Sequence, residues 1–232
     1  TEPEIGMATV RLLQGLGWRV ELLPLPGGTC GRAMLSKGLV DQAASAARIN
    51  IEAWAALAEE GDPIIGVEPS SLLTLRDEYP ALIPGEAAQR VAASAHLIEE
   101  WLLKHEDEFG PLLQFRSPHD HDEAHLLVHG HCHQKALAGS GPLMRVLEWL
   151  PETDVEEVDA GCCGMAGSFG YEKEHYDLSM EIGGQRLFPT IEALQGRGTI
   201  VIPGTSCRHQ VLDATGRNAV HPVVILADRL LQ

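Results

Sequence analysis

Strand-length apolar runs alternate with helical patterns along this chain, and that alternation leaves few folds open to it. Glu4–Leu16 has apolar residues at helical spacing and is closed by Gly15 and Gly17; Trp18–Leu25 follows as a strand. Ser36–Glu60 is Ala-rich with a long helical period, ended by Gly61-Asp62-Pro63. Ile64–Val67 reads as a short buried strand and Gly85–Glu108 as another long helix. Gly110–Glu123, with Pro111, Ser117, Pro118 and the run His119-Asp120-His121-Asp122, has the composition of a linker. The alternation then restarts: strand Ala124–His129, helix Pro142–Leu150, strand Val155–Val158, helix Tyr171–Gln195, strand Thr199–Pro203 and a late strand Val220–Leu226. Strands separated by helical patterns predict parallel sheets with crossover helices.

The two stretches read as copies of one unit. V-E-L-L-P-L-P-G-G-T-C-G-R-A from Val20 corresponds to V-E-E-V-D-A-G-C-C-G-M-A from Val155, and I-I-G-V-E-P-S-S from Ile64 to I-V-I-P-G-T-S-C from Ile200. The spacing from Cys30 to Ser71 is close to that from Cys163 to Cys207. The expected fold is therefore α/β, in two pseudo-symmetric halves, each a parallel sheet with crossover helices. Residues 1–115 would be a degenerate first copy and residues 116–232 the copy that keeps the chemistry.

With 232 residues, 44% apolar and 22% charged, the chain is long enough for real hydrophobic cores and is ordinary for a globular protein. A formal charge of −16 with no offsetting Lys/Arg stripe repels phosphate backbones and anionic membrane surfaces, so no nucleic-acid partner is expected. The longest apolar runs, Thr199–Pro203 and Val223–Ala227, are far too short to span a bilayer, so no integral membrane protein is expected. The acidic start has no apolar h-region and no initiator Met, which points to a piece of a longer polypeptide in a cytoplasmic setting. Five cysteines without a secretory signal, two of them adjacent, suit metal binding or thiol catalysis better than structural disulfides.

Cys132, Cys162, Cys163 and Cys207 each fall just after a predicted strand. In a parallel sheet such strand ends lie side by side along one edge, where these folds place ligands. Gly161, Gly164, Gly167 and Gly170 bracket the adjacent pair and Gly204 precedes Cys207, so the backbone can approach a bulky group and aim N–H donors at it. Four thiolates match the usual ligand count of a four-iron cluster. Isolated cysteines are often small core hydrophobes, and Cys30 is read that way. His129, His131 and His133 alternate around Cys132, so an extended segment would project them to one side as a zinc site. The more modest reading makes one of these histidines, His131 and His133 among them, a hydrogen-bonding or proton-relay neighbour of a cluster and the others structural, with His209 in the same role beside Cys207.

H-G-H-C-H-Q-K-A (His129–Ala136), G-C-C-G-M-A-G-S-F-G (Gly161–Gly170) and G-T-S-C-R-H-Q (Gly204–Gln210) resemble the cysteine-rich CCG domain. That domain occurs in heterodisulfide reductase B subunits, in the iron–sulfur subunits of glycolate and glycerol-3-phosphate dehydrogenases, and in lactate-utilisation proteins. The resemblance is strongest to the C-terminal part of fused FAD-linked dehydrogenases of the D-2-hydroxyglutarate and D-lactate type, and it covers nearly the whole chain. P-G-G-T-C-G-R-A-M-L-S-K-G from Pro26 and E-P-S-S-L-L-T-L-R-D-E from Glu68 match the degenerate first copy. It implies Cys132, Cys162, Cys163 and Cys207 as ligands of an iron–sulfur cluster, 4Fe-4S in type, or as redox thiols. The Cys162–Cys163 pair would carry the redox chemistry, with Gly161 and Gly164 in the binding loop. The full motif ends C-x-x-C, whereas Gln210 stands here, and Thr29 and Ser71 stand where fuller relatives carry Cys. A four-ligand cluster, or one with a non-cysteine ligand, fits this chain better than a five-cysteine one.

The resemblance implies one component of an FAD-linked oxidoreductase. FAD would be held in a separate domain or subunit, and the partners would be a flavin dehydrogenase domain and a ferredoxin-like domain of the same polypeptide or complex. Two alternatives stay open: a metal-free thiol/disulfide redox domain and a zinc-binding docking module. No Walker lysine or dinucleotide fingerprint accompanies Gly161–Gly170. Arg32, Lys37 and Arg208 flank the cysteine motifs as candidates for offsetting thiolate charge or meeting a carboxylate, or as solvated surface charges. Trp54, Trp101 and Trp149 read as core.

Overall fold

Leu126, Leu127 and Val128 are at most 1% exposed. A run of adjacent apolar residues buried on both faces belongs in the middle of a parallel sheet covered by helices. The structure, a computed structural model, describes residues 2–110 and 112–231; Pro111, named above in the linker, lies outside the described residues. The chain divides into two units, one formed by Thr1–Val20 with Glu99–Gln232 and the other by Glu21–Ile98.

In the second unit named, β1 (Ile64–Gly66) pairs in parallel with β2 (Ala95–Leu97). The long helix Val40–Glu60 buries Ala43, Ala46, Ala47, Ile51 and Trp54 and packs against the helix Glu86–Ser94. In the larger unit, β3 (His125–Val128), β4 (Asp154–Glu157), β5 (Thr199–Val201) and β6 (Ala219–Val220) form one parallel sheet in the order β4-β3-β5-β6. The apolar strands β3 and β5 are central, while β4 carries Asp154, Glu156 and Glu157 at an edge and exposes all three. Helices between the strands supply the crossovers, so the expected α/β class with parallel sheets is what the chain adopts.

Several expected elements differ, each for a physical reason. Trp18–Leu25 forms no strand. Trp18 instead sets its ring edge-on to Trp101, 5.4 Å between centroids, and Pro24 has no N–H for a ladder. The expected helix Gly85–Glu108 is interrupted by β2, because pairing with β1 overrides local helix propensity. The late apolar run is a helix, Pro222–Arg229, after the two-residue β6. Pro222 at its first turn and the His221 side chain accepting from Val223 N–H start it, which a short apolar run alone does not disclose. Tyr171–Gln195 resolves into a 3₁₀ turn, Phe169–Tyr171, and two helices, Tyr176–Gly184 and Leu187–Ala193. Within the linker, Asp120 caps a short helix, His121–Ala124, accepting from Glu123 N–H at 2.9 Å.

Candidate metal centre

The C-terminal ends of β3, β4 and β5 lie side by side, and the chain leaves each of them into a cysteine-bearing segment. β3 continues through His129, whose N–H donates to the Val201 carbonyl at 2.9 Å, and the chain then turns into the helix Cys132–Leu137. β4 leads through Val158 and Ala160 to Cys162 and Cys163. β5 leads through Gly204 into the helix Thr205–Thr215, which carries Cys207 at its third position. This is the strand-end convergence that parallel sheets provide.

Local contacts then set the spacing. Lys135 on the Cys132 helix reaches across to donate from Nζ to the Ala160 carbonyl at 2.7 Å, tying that helix to the Cys162 loop. Gly164 has φ +103, and a Cβ there would stand 2.1 Å from the Ser179 carbonyl oxygen, so only glycine fits. Gln210 secures the other side, donating from Nε2 to the Ser179 carbonyl at 2.9 Å and to Ser179 Oγ at 2.7 Å. Arg208, 6% exposed, donates to the carbonyls of Ile202 and Pro203 at 2.9 and 2.8 Å and pairs with Glu2. It clamps the end of β5 and is buried, so it is not a solvated surface charge, one of the roles expected for it.

Cys163 Sγ lies 3.0 Å from Cys207 Sγ, and both residues are 2% exposed. Cys132 and Cys163 both lie close enough to Cys162 to stabilise negative charge on its sulfur. All four expected cysteines therefore belong to one connected group. The Cys162 sulfur also accepts from the backbone N–H of Gly164 at 3.3 Å. His129, 1% exposed, joins the same group: an imidazole nitrogen and the sulfurs of Cys163 and Cys207 all lie within 4.8 Å of one another.

Negative charge is stabilised at one sulfur. Hydrogen bonds from Cys132 and then Cys163, with the backbone N–H groups of Gly164 and Ala166, hold the Cys162 thiol far below the ordinary thiol range. Donating to Cys162 and burial push Cys132 up; donating to Cys162, contact with Cys207 and burial push Cys163 up. Burial lowers His129 to about 4, with the Lys135 charge adding to the effect, so its ring is neutral near pH 7. Both ring nitrogens of His129 are buried without a hydrogen-bond partner.

The segment of the three histidines around Cys132 is not extended throughout, because a helix starts at Cys132. His131 caps that helix, its Nδ1 accepting from His133 N–H at 3.2 Å, and the two rings stack 5.8 Å apart. Gly204 makes room for it: a Cβ there would stand 2.4 Å from His131 Cδ2. His209 is exposed and bonds through Nδ1 to the Tyr171 hydroxyl at 2.8 Å. A Cβ on Gly161 would meet nothing within 4 Å. A cavity of about 520 Å³ lies beside the loop, lined by Met165, Tyr171, Tyr176, Met180, His209 and Gln210 among others; none of the four cysteines lines it. Sequence reasoning sets His129 beside Cys132, as a zinc ligand or one of three histidines near a cluster; its position at the last residue of a predicted strand is the available signal that it meets Cys207. The tethers Lys135 and Ser179 leave no signal in sequence.

No protein-family model matches the chain. Among curated proteins it is 28% identical over 229 residues to the C subunit of the anaerobic glycerol-3-phosphate dehydrogenase of Escherichia coli (strain K12), with 98% of this chain and 56% of that protein covered. It is 30% identical over 220 residues to the D-2-hydroxyglutarate dehydrogenase of Pantoea ananatis, with 94% of this chain and 20% of that protein covered. It is 25% identical over 232 residues to lactate utilization protein A of an Exiguobacterium strain, with 97% of this chain and 88% of that protein covered. The chain thus spans about half of the first relative and a fifth of the second. These first two relatives are a dehydrogenase component and a dehydrogenase, which makes the chain a homologue of oxidoreductase components. Among the described residues, no helix is long and apolar enough to cross a membrane.

Proposed function

We propose that this chain is the iron–sulfur electron-transfer domain of a flavin-linked 2-hydroxy acid dehydrogenase, relaying electrons from FAD in another domain or subunit to an acceptor. The observation that carries the proposal is the gathering of Cys132, Cys162, Cys163 and Cys207 into one connected group at a sheet edge. When bound, an iron–sulfur cluster supplies one-electron transfer, and Cys ligation is its usual anchor. The donor set is chemically suited to it. Soft thiolates select such metals over hard cations, and Gly164 and Ala166 aim N–H groups at sulfur, which favours bound negative charge. The 4Fe-4S type is the form that four cysteines suit. The relatives support the larger assembly: one is by name part of a multi-subunit dehydrogenase, and in another the aligned stretch makes up only 20% of a D-2-hydroxyglutarate dehydrogenase. A flavin domain and a ferredoxin-like domain are the proposed partners, in a cytoplasmic setting.

A second reading has its own observation. Two thiols with Sγ atoms 3.0 Å apart are close enough to cycle between dithiol and disulfide without a metal. Anaerobic incubation of the protein with ferrous iron and sulfide, followed by iron, zinc and acid-labile sulfide assays and a visible spectrum, separates the readings. Iron and sulfide in matching amounts, with a chromophore bleached by dithionite, are expected. Uptake of zinc alone, or of no metal with a titratable disulfide, overturns the cluster proposal.

A further inference from the structure

Three buried histidines sit at the ends of strands in the larger unit, and two of them use a ring nitrogen in plain structural ways. His131 Nδ1 accepts from His133 N–H at 3.2 Å, and His221 Nδ1 accepts from Val223 N–H at 3.1 Å. His129 differs: it is as deeply buried as the others, and neither ring nitrogen is satisfied. Leaving a buried polar group without a partner costs about 1–3 kcal/mol. An ordinary core histidine avoids that cost by bonding at least one nitrogen.

We propose that His129 is itself a ligand of the metal centre, so that an imidazole joins the thiolates of Cys163 and Cys207 in a mixed histidine–cysteine set. The inference deepens the metal-bound reading above and rests on it. Three observations carry it. The His129 backbone is held in the sheet by Val201 and its side chain is 1% exposed, so water is not available to satisfy the ring. The donors face one site: an imidazole nitrogen and the sulfurs of Cys163 and Cys207 all lie within 4.8 Å of one another. The two sulfurs stand 3.0 Å apart, so all three donors open onto one small volume at the sheet edge. The charge also favours a neutral ligand at this position. An additional thiolate would add another negative charge to a buried group in a chain of formal charge −16, whereas an imidazole adds none.

Mixed ligation has a redox consequence, since replacing thiolate by imidazole on iron raises the reduction potential. His129→Cys is therefore expected to keep bound iron and to move the midpoint potential to a more negative value. The decisive measurement is pulsed electron paramagnetic resonance on the wild-type chain loaded anaerobically with ferrous iron and sulfide, in its paramagnetic oxidation state. A nitrogen strongly coupled to the metal spin is expected, changing its pattern when histidine is supplied as the ¹⁵N form. The coupling should vanish in His129→Ala and persist in His131→Ala and His133→Ala. Iron-loaded wild type with no coordinated nitrogen overturns the histidine ligand and leaves the electron-transfer reading standing. Persistence of the coupling in His129→Ala, or its loss in His131→Ala, overturns the assignment to this residue. A chain that takes up no iron removes both claims, and the metal assay reveals this before any spectrum is recorded. If His129→Ala fails to fold, the wild-type isotope comparison decides the matter with His129→Cys.

Discussion

In the loop at Cys30, the N–H of Gly31 donates to Thr29 Oγ1 at 3.1 Å; in the loop at Cys163, the N–H of Gly164 donates to Cys162 Sγ at 3.3 Å. Both glycines have positive φ, +89 and +103. After the neighbouring strands, Ser71 and Cys207 each stand third in a helix, Pro69–Arg76 and Thr205–Thr215. The surroundings differ. The first loop is tied down by polar atoms that satisfy one another: Asn50 accepts from Gly27 N–H at 2.9 Å and donates to the Thr29 carbonyl and the Tyr79 hydroxyl, both at 2.9 Å. The second gathers four thiols and an unsatisfied imidazole. Asn50 in the first loop finds its partners within the protein, whereas the ring of His129 in the second does not.

The largest expected effect separates the loops by metal content. Cys163→Ser should lose nearly all iron and acid-labile sulfide after reconstitution, because a hydroxyl is a harder and far less acidic ligand. Cys30→Ser should keep both. Full iron retention in the Cys163 variant would end the assignment. In the flavin-linked assembly proposed above, rapid mixing should show flavin reduction preserved and onward transfer to the acceptor lost in that variant alone.

Next comes the backbone. Gly164→Ala combines a left-handed φ with a Cβ 2.1 Å from the Ser179 oxygen, and should cost about 3 kcal/mol or more in urea unfolding. Gly31→Ala has a comparable φ, but its Cβ would sit 3.4 Å from Ala43 Cβ, so about 1–2 kcal/mol is expected. Equal losses would show that the tight approach to Ser179 does not hold the second loop. Asn50→Ala removes the hub of the first loop and should cost about 2 kcal/mol. Its iron uptake should match the wild type, and a parallel loss of iron would erase the distinction between the loops.

The smallest effect is a pH dependence. Burial raises the Tyr79 hydroxyl from 10.0 to about 12. Its folded value lies above the unfolded one, so its contribution to stability is complete below pH 10 and declines as pH climbs toward about 12. Tyr79→Phe should remove that share of the alkaline decline in the urea midpoint. An unchanged slope would mean that Tyr79 ionises freely in the folded chain.

The parts of this molecule legible in sequence are those written in local pattern. The continuous apolar run Leu126–Val128 specifies a buried parallel strand, and placing cysteines after three strands is enough to bring four sulfurs together. What escapes depends on distant partners. Ala95–Leu97 looks helical until Ile64–Gly66 pairs with it, and the alternation at His129, His131 and His133 does not disclose that a helix starts at Cys132. The unsatisfied state of His129 belongs to the folded core, and no spacing rule expresses it.

The acidic outer strand β4 bears on how the protein behaves in bulk. Asp154 and Glu156 flank His125 at 3.2 and 4.0 Å, and Glu157 follows beside them. A second molecule presenting the same rim would bring carboxylates against carboxylates, so edge-to-edge zippering into fibrils is repelled at this rim. That repulsion travels only about a Debye length, roughly 8 Å in physiological salt. Concentrated or brine-rich preparations should therefore lose this protection first, well before the sheet itself gives way.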